Sequence, residues 1–141
     1  MRKIILASHG LLAEGMKNSL ELISGCNSNI HAFGLNEGGS PKAIAEKVNN
    51  IIEENEENEY VIITDFPGGS VNTAMVELLE KKNVYLISGM NLILCLEILL
   101  AQEDVSIENI IEDALINAKN TLTNIKNILH NQDDEEDYFN D

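Results

Sequence analysis

The sequence predicts an α/β domain with a mainly parallel, doubly wound sheet and helices on both faces. Compact runs of β-branched and apolar residues alternate four times with segments whose apolar residues recur at helical spacing. Parallel neighbours require crossover connections of this kind, and those are almost always right-handed. At 141 residues and 44% hydrophobic residues, the chain can bury roughly 68 to 70% of its unfolded surface. One core without disulfides is therefore the expectation.

Lys3 to Ala7 is the first strand run, ended by Ser8-His9-Gly10. Leu11 to Ile23 follows as a helix, with Leu12, Met16, Leu20 and Ile23 spaced to face inward. Gly25 ends it. Asn29 to Leu35 reads as a short second strand, and Gly38-Gly39-Ser40-Pro41 supplies a turn, with Ser40 as N-cap and Pro41 at the first position of a helix reaching about Glu54. Tyr60 to Thr64 is apolar enough to be buried on both faces, and it stops at Asp65. Phe66-Pro67-Gly68-Gly69-Ser70 then leads to a helix over Val71 to Lys81, with Met75, Leu78 and Leu79 inward. Val84 to Ser88 is the fourth strand. Gly89 breaks it, Asn91 caps an apolar helix Leu92 to Ala101, and Ser106 caps a last one from Ile107 to about Leu122. The chain has no internal repeat and no dividing linker, so one domain over residues 1–130 is expected.

Charge separates body from periphery. The formal net charge is −15, from 9 Lys and Arg against 24 Asp and Glu. Glu53, Glu54, Glu56, Glu57 and Glu59 form one cluster, and six more acids fall in the last nine residues. Without those eleven, 13 acids face 9 bases. The body is only mildly acidic, and residues 131–141 read as a disordered, solvated tail. A nucleic-acid partner is disfavoured, because neutralising phosphates takes clustered Lys and Arg; an anionic membrane is disfavoured likewise. No apolar run approaches the roughly 18 residues of a membrane span, and Ile4 to Ala7 is too short for a signal-peptide core. Cys26 and Cys95 form no disulfide framework or metal-ligand spacing. Cys95, inside an apolar run, reads as a buried thiol suited to a reducing cytoplasm.

In such a sheet, ligands bind beyond the carboxyl ends of the strands where the strand order reverses. For the flavodoxin-like order 2-1-3-4 that point lies between strands one and three. The first strand ends at His9 and the third at Asp65. A carboxylate on one imidazole nitrogen fixes the tautomer and leaves the other nitrogen with a free lone pair, which is a nucleophile. Gly10 opens a helix whose N-terminal amides suit an anion, and Gly68, Gly69 and Ser70 give a second close-approach turn with a hydroxyl beside it. Phosphoryl transfer needs mainly such positioning and charge stabilisation. The Gly-rich turn lacks both the dinucleotide spacing and the Walker A lysine. His31 and His130, with no acid or Cys pattern beside them, read as structural, and neither a metal nor a cofactor is expected.

Ile4-Ile5-Leu6-Ala7-Ser8-His9-Gly10 with Ala13-Glu14-Gly15-Met16, Thr64 to Ser70, and Ser88-Gly89-Met90-Asn91-Leu92 appear in order over roughly residues 1 to 125. Together they resemble the enzyme IIA domain of the mannose family of the bacterial phosphoenolpyruvate-dependent sugar phosphotransferase system. The resemblance implies a cytoplasmic phosphocarrier in which His9 receives a phosphoryl group from the carrier protein HPr and passes it to a histidine of a IIB component. It implies that Asp65 orients His9, that Ser70 and the amides around Gly10 and Gly69 hold the phosphoryl oxygens, and that Asn91 contributes from the fourth-strand loop. It also implies a homodimer that exchanges a short C-terminal antiparallel strand. The sequence departs from the family pattern at Val71-Asn72-Thr73, which leaves the role of Asn72 open. Thr123 to His130 carries Ile125, Ile128 and Leu129 at helical spacing, which leaves strand or helix open there. The alternatives are the phosphotransfer subunit of a dihydroxyacetone kinase, a non-catalytic regulatory module of the same fold, and a flavodoxin-like small-molecule binder. The transported sugar is not written in the chain.

Overall fold

A computed structural model describes residues 1–26 and 28–140, with side chains through residue 133. Four strands, β1 (Arg2–His9), β2 (Ile30–Leu35), β3 (Glu59–Thr64) and β4 (Val84–Ser88), form one parallel sheet in the order β2-β1-β3-β4. This is the order expected, with the reversal between β1 and β3. The helices are α1 (Leu12–Ser24), α2 (Pro41–Glu54), α3 (Ser70–Met75), α4 (Leu92–Leu100), α5 (Ile107–Asn120) and α6 (Ile125–Asn140).

Alternation along β1 and β3 divides the core into two layers. Ile4, Leu6, Val61 and Ile63 pack with Ala13 and Leu20 of α1, Leu94, Cys95 and Ile98 of α4, and the inner face of α5. Ile5, Ala7, Tyr60 and Ile62 pack on the other face with Ile44, Val48 and Ile52 of α2 and Val71 and Met75 of α3. Strands covered on both sides are the reason β3 reads as an unbroken apolar run. Burial pushes the Cys95 thiol up to about 12, so it stays protonated within the packing.

The caps fall where the residue types place them. Ser40 Oγ accepts from Ala43 N at 3.2 Å, Ser106 Oγ from Asn109 N at 3.3 Å, and Asn91 Oδ1 from the amides of Ile93 and Leu94. Tyr60, buried at the start of β3, donates its hydroxyl to the carbonyls of Ile51 and Asn55 and so ties the end of α2 to the sheet.

Three expectations require correction. In α1 the buried residues are Ala13 and Leu20, with Met16 packed against them, while Leu12 and Ile23 are exposed. The predicted helix over Val71 to Lys81 is α-helical only to Met75 and tightens into a 3-10 turn over Val76–Glu80; this keeps Leu78 buried and turns Leu79 outward. Residues 125–140 are helix, so no fifth, exchanged strand joins the sheet among the described residues. That segment has no Gly or Pro, and its apolar residues recur at helical spacing. The same helix runs past residue 130 into the acidic stretch. The acidic side chains beyond Asp133 lie outside the described residues.

Candidate functional site

The site lies at the carboxyl ends of β1 and β3, where β1 outruns β3 while still paired with β2. In a parallel sheet a strand's amides alternate between its two neighbours. Along β1 the amides of Ile4 and Gly10 donate to Asn29 O and Leu35 O of the β2 side, each at 2.8 Å. The intervening His9 amide therefore faces β3, which has already ended. Asp65 fills the vacancy, and its Oδ2 accepts the His9 N–H at 2.8 Å.

The same Oδ2 lies 2.7 Å from His9 Nδ1. Phe66 N donates to the other oxygen, Oδ1, at 3.1 Å. Burial pushes the Asp65 carboxyl up, but the hydrogen bonds from the His9 amide and ring and from the Phe66 amide outweigh it and hold the group below the ordinary carboxylate range. An ionised Asp65 accepts and cannot donate, so Nδ1 carries the proton and Nε2 keeps its lone pair. The His9 side chain is 44% exposed while that of Asp65 is 9% exposed. The imidazole is thus reachable and its partner is covered.

Ser70 Oγ stands 3.3 Å from His9 Nε2, so the three residues expected together are together. Phe66 adds a wall that sequence reading missed: its ring stacks on the imidazole with centroids 5.5 Å apart and planes at 21°. Gly69 makes room for that ring. A Cβ at residue 69 would come within 2.8 Å of Phe66 Cζ. Gly68 turns the chain at φ +78°, which only glycine adopts at little cost.

Two other expected contributors are placed differently. The Gly10 amide is engaged by Leu35 O, so it is not an open donor. Asn91 spends its Oδ1 on capping α4 and makes no hydrogen bond to His9, Asp65 or Ser70.

A part-buried polar chain holds the Ser70 side of the site. Thr64, fully buried, donates its one hydroxyl proton to Asn72 Oδ1 at 2.9 Å, so in the 2.9 Å contact with Ser88 Oγ the serine is the donor. Asn72 sits in the first turn of α3, and this chain fastens that turn to the ends of β3 and β4. On the opposite side Ser8, also buried, accepts from Ala13 N at 2.7 Å and starts α1. A serine and a threonine closing two strands just before glycine-containing turns were the available signal for both. His31, opposite Ile5 on β2, is half-buried; burial together with Lys3 and Lys17 lowers its pKa. Among the described residues no cluster of His, Cys, Asp or Glu could hold a metal ion.

Fold and site define a class: a doubly wound domain carrying a carboxylate-oriented imidazole at its topological switch point. A family model described as the PTS system fructose IIA component, EIIA-man, matches residues 3–115, and the chain belongs to that family. It is similar to the sorbose-specific EIIA component of Lacticaseibacillus casei, 28% identical over 110 residues that cover 77% of this chain and 80% of the relative. It is also similar to the fructose-specific EIIA component of Bacillus subtilis, 25% identical over 115 residues that cover 80% and 79%. Among solved structures, the PTS IIA protein associated with the fucose utilization operon of Streptococcus pneumoniae superposes with a TM-score of 0.77 at 29% identity, covering 91% of this chain and 96% of the other. The chain is accordingly a component of a sugar phosphotransferase system. No helix among the described residues is long and apolar enough to cross a membrane.

Proposed function

We propose that this protein is a cytoplasmic phosphocarrier that takes a phosphoryl group from phospho-HPr on Nε2 of His9 and passes it to a IIB component. The observation that carries the reading is the division of labour on the exposed ring: Nδ1 bound at 2.7 Å to a covered carboxylate, Nε2 beside the Ser70 hydroxyl. In the transfer, the Nε2 lone pair attacks the phosphorus of the donor's phosphohistidine. The Nε2–P bond forms as the donor's N–P bond breaks, and that electron pair returns to the donor imidazole. Nδ1 keeps its proton, and Asp65 stabilises the positive charge that grows on the ring. Ser70, whose 3.3 Å contact is easily exchanged, turns its hydroxyl to the phosphoryl oxygens, helped by the amides around Gly69. Passage to IIB reverses these steps. The energetic demand is positioning, which the two fastened turns supply.

The reading is tested by incubation with phosphoenolpyruvate, the first enzyme of the system and HPr. Acid-labile, base-stable phosphate on His9 is expected, with none on His9→Ala; normal labelling of that variant overturns it. Onward transfer to a cognate IIB component separates a carrier from a regulatory module, which would accept phosphate and not pass it on. A homodimer belongs to the same reading, since Leu122, Ile125 and Leu129 expose apolar surface that a second copy would cover. Sedimentation at a monomer mass would remove that part alone.

A further inference from the structure

Gly34 lies on β2, paired with Ser8 of β1 one residue before the strands end. A Cβ built on it would collide with the carbonyl oxygen of Gly10. A Cβ is fixed by its own backbone and the group it meets is backbone too, so no side-chain rotation relieves the overlap. Gly69, by contrast, is crowded by the Phe66 ring, which can swing away, and Gly10, Gly25, Gly38, Gly68 and Gly89 have open space where a Cβ would stand. Gly39 also meets backbone, at Asn36 O, but only within its own turn. Gly34 is where β2 meets the turn that leaves β1.

The carbonyl lies there for a definite reason. The Gly10 amide forms the last rung of the β1–β2 ladder with Leu35 O, and Gly10 then turns at φ +56°. That turn folds its carbonyl back over β2. His9 immediately precedes it, tethered to Asp65 by both its amide and its ring. The His9 backbone is thus fixed between a rung on β2 and a carboxylate beyond β3. We propose that Gly34 is a positioning residue: by leaving its Cβ position to the Gly10 carbonyl, it sets where β1 leaves the sheet and so where the His9 imidazole meets Asp65 and Ser70. A methyl at residue 34 moves the Gly10 carbonyl by about an ångström to restore ordinary contact distances. A shift of that size breaks a hydrogen bond of the kind joining His9 to Asp65 and can cost about 100-fold in a positioned reaction.

The inference rests on His9 being the reacting group of the proposed function, and its test has an arm that does not. Ring-nitrogen NMR shifts of His9 in unphosphorylated protein read the tautomer directly. In Gly34→Ala the preference for a protonated Nδ1 should weaken, and phosphoryl transfer should fall about 10- to 100-fold. Gly25→Ala, equally strained at φ +86° but at the far end of α1, should lower the melting temperature and leave the His9 shifts in place. Unchanged His9 shifts in folded Gly34→Ala overturn the proposal; so do equal changes in Gly25→Ala, which would make the effect general destabilisation. Should Gly34→Ala fail to fold, Gly10→Pro removes the last rung's donor and excludes positive φ without substituting any residue of β2. It should displace the same shifts, and unaltered shifts again refute the assignment. Altered shifts in a protein whose wild type is never labelled would retire the phosphocarrier reading and leave the positioning role standing.

Discussion

β1 carries a cation or imidazole paired with a β3-side carboxylate at each of its ends, and the two pairs are built in opposite senses. At the amino end Arg2 bonds Glu59 at 3.2 Å, and its guanidinium also reaches the carbonyls of Gln102 and Val105 in the α4–α5 connection. There the base is covered, with its side chain 7% exposed, and the acid is open at 39%. At the carboxyl end the acid is covered and the imidazole is open. The covered member of each pair does the fixing, because its hydrogen bonds are shielded from water, while the open member is left to solvent. A permanent guanidinium inside makes a fastening for a loop. A carboxylate inside, facing an imidazole outside, leaves a nitrogen that can react.

Removing the covered member at each end should separate these roles. Asp65→Ala, at the carboxyl end, should keep the fold and slow phosphorylation of His9 by about 100-fold or more; an unchanged rate ends its orienting role and the contrast with it. Arg2→Met, at the other end, should leave the transfer rate within about twofold while denaturant titration shows a loss of about 1–3 kcal/mol, since two carbonyls and Glu59 lose their donor. Slowed transfer there would mean the two ends are coupled. Ser70→Ala touches the open nitrogen's neighbour and should slow transfer by about tenfold, one charge-assisted hydrogen bond's worth, without shifting the melting curve.

The smallest effect is in acid. The Asp65 pKa is depressed in the folded protein. Its contribution to stability is therefore full above the unfolded carboxylate value near 4 and is lost as pH falls through the lower folded value. Asp65→Asn should show a flatter acid limb of stability against pH than the wild type, and identical limbs would deny the coupling.

Much of this was legible because it depends on short-range chemistry. The run Tyr60 to Thr64 could only be a doubly covered strand, and Ser40-Pro41, Ser106 and Asn91 announced helix starts that the hydrogen bonds bear out. His9 and Asp65 became neighbours on paper because strand ends and sheet order together locate the crevice. Spacing failed where it named a face without its width: Leu12, Ile23 and Leu79 lie at helical intervals but outside the contact stripe. It also failed where two distant backbones touch. Nothing local to Gly34 tells that Gly10 will need its space, and nothing local to Asn72 tells that Thr64 will reach it. The engaged Gly10 amide is the same kind of miss, since its acceptor, Leu35, arrives on another strand.

Under the proposed function His9 must return to the same starting arrangement after every load, and the double grip on Asp65 Oδ2 bears on that. One of its two donors is an imidazole, which a covalent load and a change of partner can rotate. The other is a main-chain N–H locked into the strand, which no cargo displaces. When the ring swings out, the carboxylate stays aimed, so the empty histidine finds its partner by a side-chain rotation alone, on the timescale of nanoseconds or faster. Resetting then adds no slow step of its own to the turnover cycle.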